Sequence, residues 1–102
     1  PKNFFKVLES TERSQVAEMV LSAGQSTGGP NNKHPDSDQW LYVIEGKGKA
    51  IIEDRTVKFS SGDLVLIEAG ENHEVKNTGR VDLKTFNIYT PKTSFIWYNL
   101  IK

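Results

Sequence analysis

The chain of 102 residues holds two histidines, His34 and His73, and no cysteine. Imidazole titrates near neutral pH and is the commonest protein ligand for transition metals, so proton transfer and metal binding are the chemistries that these two positions offer. Thiolate chemistry and a disulfide framework are excluded. His34 follows a tract rich in Gly, Ser, Asn and Pro and stands beside Asn32, Asp36, Asp38 and Gln39. His73 follows the apolar run Leu64-Val65-Leu66-Ile67 and a polar turn containing Gly70.

The elements that must position these residues read as strands. Val, Ile, Thr and aromatic residues cluster in short runs bounded by Gly, Asn, Asp and Ser, and turn signals recur at the rhythm of a sandwich or small barrel. The fold class is all-β. Residues 15–22 alternate, with Ala17, Met19 and Leu21 on one face. A helix over residues 10–21 is the rival, but its apolar spacing fits a 3.6-residue period poorly. Residues 40–45 form a strong strand, Leu41 and Val43 on one side, Trp40, Tyr42 and Ile44 on the other, both faces buried. Gly46-Lys47-Gly48 then reads as the turn of a hairpin into residues 49–53. It is not a phosphate loop, since the Gly-x4-Gly-Lys-Ser/Thr spacing and the following helix are missing. The last strand covers residues 81–90, where the apolar phase shifts from Val81 and Leu83 to Phe86 and Ile88, the sign of a bulge or of a strand that serves two surfaces. Side chains alternate along a strand, so His73 shares a face with Val75 and Asn77 while Glu74 and Lys76 point to solvent. His73 therefore faces inward near the mouth of a barrel.

Thirteen basic and thirteen acidic side chains give a formal net charge of zero without long blocks of either sign. This predicts no electrostatic grip on nucleic acid or membrane. Residues 1–102 read as one domain, with no signal peptide at the N-terminus and no membrane span, which suggests a cytoplasmic protein. Pro1 as a catalytic amine, Ser60, Ser61 and Asp63 as parts of a nucleophile triad, and Glu68, Glu71 and Glu74 as paired acids all lack the supporting pattern. Asp36 and Asp38 read as solvated turn residues.

Spacing adds a family. From Gly62 a short strand leads to Glu68-x-Gly70-x-x-His73-x-x-x-Asn77, which resembles the second cupin motif, Gly-x5-Pro-x-Gly-x-x-His-x3-Asn, with Glu68 in place of proline. Upstream, Asn32-x-His34, Gln39 and Gly46 fall where the first motif has His-x-His, Glu and Gly. Residues 34–40, His-Pro-Asp-Ser-Asp-Gln-Trp, look like the first motif of small single-domain cupins. The resemblance implies a double-stranded β-helix, or jelly roll, with ligands of both motifs converging inside. It implies a metal set of His34, His73, Gln39 and Asn32, in which two of the family's four strong ligands are replaced by neutral amides. A divalent cation such as Zn, Ni, Mn or Fe is the expected cofactor, held more weakly than in the full motif. Met19, Leu41, Val43, Val75 and Phe86 are expected to wall a pocket for a small polar ligand, a sugar or an organic acid. Metal-assisted isomerase or lyase activity and a non-catalytic binding or sensor module are the two functions left open. Family members often pair as dimers, so a homodimer is expected, with residues 95–101 as the segment that covers an edge.

Overall fold

The computed structural model describes residues 3–28 and 36–91. Asn32, His34 and the apolar tail at 95–101 lie outside these. Among the described residues the chain forms strands β1 (Phe4–Ser10), β2 (Gln15–Leu21), β3 (Ser26–Gly28), β4 (Asp38–Glu45), β5 (Lys47–Ile52), β6 (Arg55–Ser60), β7 (Leu64–Ile67), β8 (His73–Asn77) and β9 (Leu83–Thr90). It forms no helix there, and so none long and apolar enough to cross a membrane.

All pairs are antiparallel. They build a five-stranded sheet in the order β1-β2-β9-β4-β7 and a four-stranded sheet in the order β3-β8-β5-β6. From β4 to β8 the chain passes back and forth between the two sheets, which is the jelly roll that the cupin-like motifs imply. Two inner faces meet in one apolar cluster, with Met19, Leu41, Val43 and Leu83 from the larger sheet and Ala50, Ile52, Phe59 and Val75 from the smaller. Burial of each large aliphatic side chain here contributes roughly 1.5–3 kcal/mol.

Local reasons decide each element. Residues 15–21 are a strand and not a helix because alternation lets Ala17, Met19 and Leu21 enter the core together while the backbone pairs on both sides, with β1 and β9. The expected hairpin at Gly46 is not one. β4 and β5 belong to different sheets, and Gly46 is the crossing point between them, at φ 91°. A Cβ there would lie 2.6 Å from the Asp82 carbonyl oxygen, so the close approach itself demands glycine. The hairpin partner of β5 is β6, joined through Glu53 at φ 54°.

The last strand is shorter than expected and starts at Leu83. It serves two surfaces. Leu83, Thr85, Asn87 and Tyr89 point inward, and Lys84, Phe86 and Ile88 point outward. The outer face of β4 is not buried in this chain either, since Trp40 is 37% and Tyr42 42% exposed.

Candidate ligand-binding site

His73 opens β8 and is 1% exposed. Its Nδ1 lies 3.1 Å from the backbone oxygen of Glu71. A carbonyl oxygen can only accept, so Nδ1–H donates and the lone pair of the neutral ring is on Nε2. Burial holds its pKa below the ordinary 6.5, against a smaller opposing effect of the Glu71 carbonyl. The ring is therefore uncharged at neutral pH.

The turn that carries His73 is braced from several sides. Ala69 N–H donates to the Asp38 carboxylate at 2.9 Å, so Asp38 is a structural anchor at the head of β4 and not a purely solvated turn residue. Glu71 accepts from Glu68 N–H at 2.8 Å and pairs with Arg55 at 3.0 Å, and these bonds lower its carboxyl pKa. Asn72 exchanges backbone hydrogen bonds with Glu53, through the Glu53 carboxylate at 2.8 Å and the Glu53 N–H at 2.9 Å.

Gln39 faces the interior from β4 and is 1% exposed. Its backbone stands opposite Ile67, the residue that leads into the His73 turn, so Gln39 and His73 occupy the same end of the sandwich. Gln39 Nε2 donates to Asn87 Oδ1 at 2.9 Å, and Asn87 Nδ2 donates to Thr85 Oγ1 at 2.9 Å. All three residues are buried. Across the sheet, Tyr89 of β9 sits in register between Gln15 of β2 and Gln39 of β4. Tyr89 is fully buried, touches Phe5 at a ring-centroid distance of 6.4 Å, and is kept a neutral phenol because burial raises its pKa well above 10. Gln15 Oε1, Gln39 Oε1 and, on β3, Thr27 Oγ1 are buried without a hydrogen-bond partner among the described residues. A buried polar atom left unpaired costs about 1–3 kcal/mol, so three of them in a domain of this size call for an explanation.

Met19, Leu41, Val43 and Val75 all face inward and pack in the core below this polar end. Phe86, expected in the wall, does not. It lies on the outer face of β9 and is 38% exposed, because the inward phase of that strand is taken by Thr85 and Asn87. Gln15, Thr27, Thr85, Asn87 and Tyr89 were not apparent as site residues from sequence. The only signal was the phase of β9 counted from Leu83, which places three polar residues inside. Two open surface depressions of ≈ 370 and ≈ 390 Å³ share Lys47 in their walls. That residue begins β5, whereas His73 pairs with Ile52 at the strand's other end.

A family model described as Cupin domain matches residues 17–89. The chain belongs to the cupin family. Among relatives, this cupin is 32% identical over 68 residues to the oxalate-binding protein of Thermotoga maritima, an alignment that covers 67% of this chain and 54% of that protein. A crystal structure from Bacillus halodurans superposes with a TM-score of 0.83 at 31% identity, covering 88% of this chain and 71% of the other. The predicted oxalate decarboxylase of Thermotoga maritima gives 0.71 at 27% identity, covering 79% and 69%. This cupin spans about half the length of the curated relatives it matches.

Cupins commonly bind a divalent metal, and the donors among the described residues fit one poorly. Among the described residues no group of three His, Cys, Asp or Glu side chains could hold an ion. The position where the family has a carboxylate is Gln39, a neutral amide whose Nε2 donates to Asn87. The one inward imidazole and one amide oxygen among the described residues leave the charge of a cation unbalanced.

Proposed function

We propose that this cupin binds a small polar ligand directly through buried polar side chains at the His73 end of the barrel. The observation that carries the reading is Gln39. Its Oε1 is buried and unpaired at a position whose Nε2 is fixed by Asn87, so the amide presents an unused hydrogen-bonding atom to the interior. Ligand sites of this kind are mostly apolar with a few convergent polar groups, and Leu41, Val43, Met19 and Val75 supply the apolar part. The oxalate-binding relative supports ligand binding as the class of function. His34 and Asn32 belong to the proposal through the family motif alone.

A second reading adds catalysis. His73 is the inward imidazole at this end, and proton transfer within a bound ligand, as in isomerisation or elimination, is the chemistry that such a group would serve. A homodimer and a cytoplasmic setting complete the proposal. The exposed apolar row of Leu64, Tyr42 and Phe86 on the outer face of the larger sheet supports the dimer.

The test is a thermal-shift screen of sugars, polyols and organic acids with and without EDTA, beside metal analysis of untagged protein. Stabilisation by a small polar compound that survives EDTA is the expected result. A shift abolished by EDTA and restored by one divalent ion would replace direct binding with a metal-bridged site.

A further inference from the structure

The chemical class of the ligand can be narrowed, and the step rests on the direct-binding reading above. At the His73 end and just below it, the described strands turn inward the polar side chains of Gln15, Thr27, Gln39, His73, Thr85, Asn87 and Tyr89. None is a lysine, an arginine or a carboxylate. The cationic side chains on these strands are exposed or at the margins, as with Lys47, Lys58, Lys76 and Lys84. Lys84 is turned outward towards Glu18, at 3.8 Å.

Direction matters as well as charge. Gln39, Asn87 and Thr85 form a chain of donor to acceptor. In the observed sense its interior end is an amide oxygen, an acceptor. With both amides turned over, the Thr85 hydroxyl would donate to Asn87 and the interior end would be an N–H donor. The bonds within the chain survive either way, and in neither sense does the row carry charge. The Gln15 amide, across Tyr89 in the same register row, has the same two faces. The two amides stand two strand spacings apart, about 9–10 Å between backbones, so groups at both ends of a small molecule fall within their reach.

A carboxylate can only accept hydrogen bonds. Among the described residues a buried dianion would meet no compensating charge, which is costly. A hydroxyl both donates and accepts, and so matches the Gln39 and Gln15 amides in either sense. We propose that this interior takes a neutral, hydroxyl-rich ligand of the polyol or sugar type through its O–H groups, and that it discriminates against dicarboxylates such as oxalate.

Calorimetric titration of the wild-type chain tests this, with neutral probes from glycerol to hexoses set against oxalate and malonate at the same pH and salt. At least one neutral probe is expected to bind roughly tenfold or more tightly than either dicarboxylate. Gln39→Met and, separately, Gln15→Met should weaken that probe by a similar factor while the unfolding transition stays cooperative. Two variants are used because either could disturb packing on its own. Tighter binding of a dicarboxylate would overturn the assignment of ligand class and leave direct binding intact. Binding by neither set, in a folded protein, would overturn both. A neutral probe whose affinity is untouched in both folded variants would show that it binds elsewhere and overturn the site assigned to it.

Discussion

Strands β4 and β9 have two faces, and they are reversed from the ordinary pattern. An antiparallel sheet commonly turns apolar side chains to the core and polar ones to water. Here the inner face carries Gln39, Thr85, Asn87 and the phenol of Tyr89 at one end, while the outer face of the same strands carries Trp40, Tyr42, Phe86 and Ile88. In register, Leu66, Trp40, Ile88 and Val16 form one outward row, and Leu64, Tyr42 and Phe86 another. The reversal fits the two tasks proposed above: an inner polar end that departs from core chemistry to meet a ligand, and an outer apolar face that departs from surface chemistry to meet another copy.

The sharpest check is whether the rest of the inner face is an ordinary core. Leu41 lies between Gln39 and Val43 on the inward face, fully buried, and Leu41→Ala is expected to cost about 2–5 kcal/mol in urea unfolding. A loss far below that would mean the apolar end is as loosely specified as the polar one.

Next in size is the polar chain. Gln39→Met alone leaves Asn87 without its buried donor and should cost about 1–3 kcal/mol, whereas Gln39→Met combined with Asn87→Leu removes both partners and should recover most of that loss. Ligand affinity should not return with it. Recovery of both would assign the amides to stability and dissolve the contrast between the two ends of the inner face.

His73 supplies a dependence on pH. Its folded pKa is depressed by burial from 6.5, so the unfolded chain takes up the proton first as the pH falls. The stability it contributes is complete above pH 6.5 and is lost as the pH drops below that value towards the folded pKa. His73→Gln should flatten this part of the profile in equilibrium unfolding, and an unchanged slope would show that another group carries it. Glu71, whose pKa is also lowered, acts in the same direction but in the carboxylate range, below about 4.5.

The outer face should give the smallest change in the stability of a single chain. Trp40→Ser and Phe86→Ser are expected to alter monomer unfolding by only about 0.5 kcal/mol. Their effect should appear in assembly, as a shift from dimer to monomer in light scattering and loss of the concentration dependence of Tm. Equal masses for wild type and variants would leave the apolar rows without the dimer that they support.

Much of this frame was legible in the sequence because alternation was strong where one face is uniformly apolar. Ala17, Met19 and Leu21, Leu41 and Val43, and the inward phase of His73 all follow from it, and the motif spacing pointed to the family. Strand β1 was missed, since its side chains are mostly exposed and leave no one-sided pattern. The chain's crossing at Gly46 looked like a hairpin because sequence shows that a turn occurs, not which sheet receives the next strand. Phe86 was misplaced for the same reason that Asn87 was overlooked. Hydrophobicity argues for an inward side chain, and on β9 that rule fails over the length of the polar row. Long-range register alone brings Gln15, Tyr89 and Gln39 side by side, and no local signal encodes it.

The turn at 68–72 is solvent-facing over part of its length, yet Ala69 and Asn72 each give their backbone N–H to a carboxylate from another part of the fold, Asp38 and Glu53. Hydrogen exchange at these two amides requires the release of tertiary contacts and not the fluctuation of a loop. Their protection should therefore rise and fall with that of β4 and of the β5–β6 hairpin, which makes an exposed turn a reporter of the barrel's cooperative opening.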